Sequence, residues 1–197
     1  ELSRGGGAST RRRNDESQFP RRLGSAMQYA VSFSDIESAA TRLENVVVRT
    51  PVLSSPELNG LADREVLMKC ENLQHVGAFK FRGASNAVDL LGDAAEPGVC
   101  THSSGNHAQA VALAAKLRGV PAYIVMPDNA PRIKVQGVVS HGAEITFCQP
   151  TLKARIATAE SVLERTGATF IHPYDNPHVI AGQGTAALEL IQEVGKL

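Results

Sequence analysis

From Phe79 onward, apolar residues recur in two alternating spacings. Val99–His102, residues 122–126, Glu144–Cys148 and residues 168–171 are short, apolar or β-branched runs. Continuous runs of this kind predict strands buried on both faces. Between them the spacing is helical. Phe81, Ala84, Val88 and Leu91 share one face of a helix that follows Lys80. An alanine-rich helix over residues 107–117 stops before Gly119, and Pro131 opens another that ends near Gly142. Residues 152–165 place Ile156, Ala159, Val162 and Leu163 inward, and residues 179–194 form a final helix with Gly182 and Gly184 near its start. Upstream, Ser34-Asp35-Ile36-Glu37 reads as a capping box with Ser34 as N-cap and Glu37 at N3. The helix it opens aligns Ile36, Ala39, Ala40 and Leu43. Residues 46–49 read as extended and residues 65–70 as a strand. Thr50-Pro51 and Ser55-Pro56 are read as helix breakers.

Strands alternating with helices of this length predict βαβ units, an α/β fold of parallel sheets with helices on both faces. Ligands in such folds gather at the carboxyl ends of strands, near helix N-termini. Two motifs fall at such places.

The first is Glu71-Asn72-Leu73-Gln74-His75-Val76-Gly77-Ala78-Phe79-Lys80-Phe81-Arg82-Gly83-Ala84. It sets Lys80 between two phenylalanines at a helix start. Apolar surroundings disfavour an ammonium, so the neutral amine that Schiff-base chemistry needs becomes accessible. A surface lysine in a first helical turn has the same local pattern. The second motif, Ser103-Ser104-Gly105-Asn106-His107, links a strand to a helix. Gly105 allows a tight turn, and hydroxyls and unpaired amides converge there as a cradle for a carboxylate or phosphate. A plain N-cap loop remains the alternative. The loop carries neither a dinucleotide-binding glycine fingerprint nor a Walker lysine. His102 and His107 invite a hydrolase with Ser104 as nucleophile, but the G-x-S-x-G elbow is missing. His172-Pro173 reads as a strand-end turn.

Composition narrows the field. The chain has 197 residues, 43% of them hydrophobic, enough for one large domain or two small ones. Lys and Arg total 20 and Asp and Glu total 20, so no net charge points to nucleic acid or to an anionic membrane. The apolar runs are too short to span a bilayer. Cys70, Cys100 and Cys148 are dispersed and odd in number, which predicts reduced thiols, no metal site built on them and a cytoplasmic protein. Residues 1–26 are rich in Arg, Ser and Gly and begin with Glu. They are expected to be a disordered leader ahead of a natural start at Met27, rather than an organellar signal.

Taken together, these motifs resemble the fold-type II pyridoxal-phosphate-dependent enzymes, which are tryptophan synthase β-like in fold, and within them the serine racemase and threonine dehydratase group. The matching pieces run in order: Arg49-Thr50-Pro51-Val52-Leu53, Glu71-Asn72-Leu73-Gln74, Phe79-Lys80-Phe81-Arg82-Gly83-Ala84, Ser103-Ser104-Gly105-Asn106-His107 and Ile180-Ala181-Gly182-Gln183-Gly184-Thr185. The resemblance covers residues 31–197. It implies that residues 27–97 and 173–197 form part of a large cofactor-binding domain and residues 98–172 a small α/β domain. It also implies that Lys80 carries pyridoxal phosphate as a Schiff base, that Phe79 packs beside it, and that Asn106 meets its ring hydroxyl. Ser103, Ser104, Gly105, Asn106 and His107 would bind the substrate carboxylate, the substrate being a small amino acid such as serine or threonine.

Ser104 sharpens the expectation. Dehydratases of the group usually carry Ala here, whereas serine racemases carry Ser on the cofactor face opposite the lysine. Racemisation needs a proton removed on one face and returned on the other, so a second acid/base must oppose Lys80. Elimination of water needs only the lysine side. The resemblance therefore implies a serine racemase with β-elimination to pyruvate and ammonia as a side activity. A threonine or serine dehydratase and a non-catalytic remnant acting through partner subunits are the alternatives.

His75-Val76 and His141 depart from the residues of animal racemases at a nucleotide-activator site, although Gln109 matches; Tyr174 looks more like the dehydratases. The family's phosphate-cradling loop, the residue that meets the pyridine nitrogen and the divalent-cation ligands are expected beyond Leu197. The resemblance implies a truncated form with an incomplete large domain. The full-length form is expected to be a homodimer.

Overall fold

The computed structural model describes residues 29–195; the expected leader, residues 1–26, lies outside them. Helix α1 (Phe33–Leu43) is opened by a capping box, two residues earlier than its sequence signature suggested. The Ser32 hydroxyl accepts from the Asp35 amide, and the Asp35 carboxylate accepts from the Ser32 amide at 2.7 Å. Residues 46–49 are not a strand. The buried Gln74 side chain instead takes both backbone groups of Val48, accepting from its N–H at 2.9 Å and donating to its C=O at 2.8 Å. The strands of this region are β1 (Val52–Ser54) and β2 (Leu67–Lys69), paired antiparallel. Between them lies a helix that the prolines were expected to forbid, α2 (Pro56–Ala62). Pro56 occupies N1, where its missing N–H costs nothing, and Ser55 supplies the cap.

The remaining elements are α3 (Lys80–Leu90), β3 (Val99–His102), α4 (Asn106–Arg118), β4 (Ala122–Pro127), α5 (Arg132–Ser140), β5 (Glu144–Cys148), α6 (Leu152–Thr166), β6 (Thr169–Phe170) and α7 (Pro177–Val194). Strands β3 to β6 form one parallel sheet in the order β5-β4-β3-β6. Their side chains alternate between two cores. Val99, Ile124 and Met126 pack with α3, α4 and α5, while Cys100 and Val125 face Ala159 and Val162 of α6. Helices therefore cover both faces, as the pattern predicted. Ile156, expected inward on α6, is exposed at the edge of that face.

Strand order fixes the site. The chain steps from β3 outward to β5 and then crosses to β6 on the other side of β3. Strand order reverses between β3 and β6, and the crevice outside their carboxyl ends is where such sheets bind ligands. The loop 103–105 leaves β3 there, and the turn 171–176 leaves β6 beside it. Helix α3 reaches this point through a close crossing with α7. A Cβ added to Gly182 would stand 2.7 Å from the Cα of Gly83, and one added to Gly83 2.6 Å from the Val179 carbonyl oxygen. Only two glycines let these backbones meet. No helix among the described residues is long and apolar enough to cross a membrane.

Candidate active site

Lys80 is the first residue of α3, half-buried. Its Nζ donates to the Pro173 carbonyl at 2.8 Å and lies 5.3 Å from the centroid of the Phe79 ring. Only one of its two flanking phenylalanines accompanies it. Successive helical residues diverge by about 100°, and Phe81 turns fully into the core, where its ring meets His75 edge-on at 4.9 Å. Burial pushes the Lys80 ammonium below the ordinary lysine range. The turn that delivers Lys80 is strained: Val76 has φ 55° and Gly77 φ 67°. A β-branched residue in the left-handed region costs of order 1–3 kcal/mol, and Val76 is held there by packing against the core.

The second motif forms the β3–α4 junction. Ser103 donates its amide to Val125 O at 3.1 Å, and its hydroxyl accepts from the Gly105 amide at 3.2 Å. No side chain caps α4, and the same holds for α3 and α5, whereas Ser32, Ser55, Thr151 and Asn176 cap α1, α2, α6 and α7. The plain-cap alternative therefore does not describe this loop. Its first-turn amides have no capping side chain and lie at the positive end of the helix dipole. A Cβ on Gly105 would meet nothing within 4 Å.

Asn106 opens α4, and its Oδ1 accepts from Lys134 Nζ at 2.6 Å. His107 is buried, with Nε2 at 3.3 Å from the Ile171 carbonyl. A carbonyl only accepts, so Nε2 carries the proton and Nδ1 is a bare acceptor; Nδ1 has no partner. The ring is committed to Ile171 and not to Ser104, which removes the hydrolase arrangement. Burial, helped by the Lys80 charge and by His172 and His102, pushes His107 down to about 4.

The β6–α7 turn is the hub, a role that its reading as a strand-end turn at His172-Pro173 did not convey. Ile171 O accepts from Thr101 Oγ1 at 2.8 Å and from His107, and Pro173 O accepts from Lys80. His172 Nδ1 closes the turn by accepting from the amides of Tyr174 and Asp175. Backbone carbonyls carry no residue-type signal, so nothing in the sequence marked them. Arg82 was also missed as a separate element. It is fully buried between Glu71 and Glu189. Among the described residues, no group of three or more His, Cys, Asp or Glu side chains converges as a metal site.

His107 makes stability pH-dependent. Its unfolded value near 6.5 lies above the folded one, so the unfolded chain binds the extra proton between them. The contribution is complete above pH 6.5 and is lost as pH falls towards 4, amounting to roughly 3 kcal/mol. Urea unfolding at pH 7 and pH 4.5 should give a loss in the parent chain that His107→Gln lacks. An equal loss in both would place the acid sensitivity elsewhere.

A lysine amine of lowered pKa, an uncapped helix terminus, an open glycine face and an orphaned imidazole nitrogen fit an aldehyde cofactor bound together with a carboxylate. The chain belongs to the pyridoxal-phosphate-dependent enzyme family, whose pattern matches residues 43–197. Its architecture is that of the fold-type II members. The serine racemase of Arabidopsis thaliana is 47% identical over 171 residues, covering 86% of this chain and 52% of the relative. A β-hydroxyaspartate dehydratase of Paracoccus denitrificans is 47% identical, with 86% and 54% covered. The crystal structure of serine racemase from Dictyostelium discoideum superposes with a TM-score of 0.82 at 45% identity, covering 86% of this chain and 55% of that one. The chain thus spans about half the length of the curated relatives it matches.

Proposed function

We propose that the protein containing this chain interconverts L- and D-serine, with elimination to pyruvate and ammonia as a side reaction. The carrying observation is the shared hub: Lys80 and the 103–107 loop both converge on the 171–173 turn, Lys80 through Pro173 and the loop through His107 and Ile171. Pyridoxal phosphate, when bound, supplies the electron sink that makes a substrate α-proton removable. Lys80 holds that cofactor and moves the α-proton on its own face, and Phe79 flanks it. Asn106 meets the ring hydroxyl. The amides and hydroxyls of Ser103, Ser104, Gly105, Asn106 and His107 bind the substrate carboxylate, with the α4 dipole favouring the negative charge. Ser103 has a structural task in its contact with the Gly105 amide. The resemblance to serine racemases, which carry Ser at this position, assigns Ser104 to the opposite face.

Positioned acid/base groups contribute about 10²–10⁴-fold. Ser104→Ala in the whole protein should lower racemisation by at least about 100-fold while elimination falls far less. Equal loss of both would remove Ser104 from the proposed role. A dehydratase is the second reading, favoured by the 47% identity to the Paracoccus enzyme. A parent protein that eliminates water and racemises nothing would select it. A homodimer, a cytoplasmic location and a divalent cation held outside the described residues belong to the same proposal.

A further inference from the structure

Lys134 sits on α5, outside both motifs, and its Nζ is 2.6 Å from Asn106 Oδ1. We propose that Lys134 is a positioning residue that fixes the rotation of the Asn106 side-chain amide. The inference rests on the reading that Asn106 meets the cofactor's ring hydroxyl. An ammonium has only donors, so the oxygen of the amide must face it. The Nδ2 group is then turned away from α5, and Asn106 presents N–H donors to whatever lies beyond. An ionised ring hydroxyl is an acceptor and suits that orientation. A flipped amide would set oxygen against oxygen at the ring and nitrogen against the ammonium, so the flip is disfavoured at both ends.

Helix packing sets the contact. Gln109 lies one turn beyond Asn106 on α4, and Gly137 lies one turn beyond Lys134 on α5. A Cβ on Gly137 would run into the Gln109 side chain. Those atoms are the far end of a flexible side chain that can turn aside, so the contact between Lys134 and Asn106 does not depend on Gly137.

The test has two arms, both on the protein with Lys134→Met, Lys134→Arg and Gly137→Ala. In the first, the side-chain amide resonances of Asn106, identified by their loss in Asn106→Asp, are followed by NMR without cofactor. Lys134→Met should move them, while Lys134→Arg and the control Gly137→Ala, where Gln109 turns aside, should retain them near the parent position. In the second, pyridoxal phosphate is added and its bound absorption maximum and affinity are read. The maximum reports the environment of the ring hydroxyl, which a purely structural role for Lys134 would leave alone. Lys134→Met should displace the maximum and weaken binding about tenfold, the scale of a lost hydrogen bond to a charged group. Lys134→Arg should restore both. Unmoved Asn106 resonances in Lys134→Met, or a normal Lys80-dependent band with an unmoved maximum, overturn the inference alone. Absence of any Lys80-dependent band overturns the functional reading and the inference with it.

Discussion

Arg82→Ala should destabilise the fold by about 3–5 kcal/mol, the scale for removing one partner of a buried ion pair. Arg82 has no exposed surface. Its Nε donates to Glu71 Oε2 at 2.7 Å and its Nη2 to Glu71 Oε1 at 2.9 Å, a bidentate fork. Nη1 and Nη2 make a second fork to Glu189 at 2.7 and 2.9 Å. Thr185 Oγ1 takes the one remaining N–H at 3.2 Å, and the Val48 carbonyl, 3.3 Å from Nη2, shares hydrogens already given to the carboxylates. Lys69 completes the cluster, 2.8 Å from Glu189 and 2.6 Å from the Thr50 carbonyl. Two cations thus face two largely buried carboxylates, with the more exposed Glu193 3.8 Å from Lys69, and deleting Arg82 leaves excess negative charge there. Burial works against the Glu189 carboxylate, yet hydrogen bonds from Arg82 and Lys69 win and hold it below the ordinary carboxylate range. Its contribution is therefore present at neutral pH and is lost only as pH falls through that lowered value.

Arg82→Lys should recover little, because one ammonium cannot form two planar forks. Urea unfolding measures the loss, and a value under about 1 kcal/mol, the scale of an exposed pair, would show that the cluster is solvated. The cluster also bears on the site. It ties β2, the 71–73 turn and α7 to α3 two residues beyond Lys80. Loosening it moves the base of the helix that carries the amine.

The sheet was legible because its strands are short apolar runs flanked by glycines. Val99–His102 and Glu144–Cys148 begin shortly after Gly98 and Gly142, both at positive φ. The β3–α4 loop was legible for the same reason: a strand, a glycine and a helix follow one another directly. Local patterns misled where two solutions overlap. Ser32-Asp35 and Ser34-Glu37 both satisfy a capping box, and the reciprocal hydrogen bonds of Ser32 and Asp35 show which turn begins the helix. Pro56 was read as a breaker although it fits N1. Residues 46–49 looked extended because β-branched residues favour strands, but a side-chain amide satisfied that backbone first. At the site, Lys80 and the 103–107 loop were readable from residue type. Their common attachment to Ile171 and Pro173 was not, since it depends on the β6 crossover, which brings residues 93 positions apart into contact. The burial of Arg82 was likewise a tertiary outcome of three separate carriers, Glu71, Thr185 and Glu189.

The central claim is that Lys80 is the amine that holds the cofactor. Its half-burial and lowered pKa favour the neutral, nucleophilic form, and Pro173 O fixes where Nζ points. Lys80→Ala removes the nucleophile without opening the core, because the side chain is not part of either apolar cluster. The most direct test is borohydride reduction after incubation with pyridoxal phosphate, followed by mass mapping of the modified peptide. The account predicts one stoichiometric label on Lys80, lost in Lys80→Ala together with the visible absorption band. A label that spreads over surface lysines, or that persists unchanged in Lys80→Ala, would contradict it.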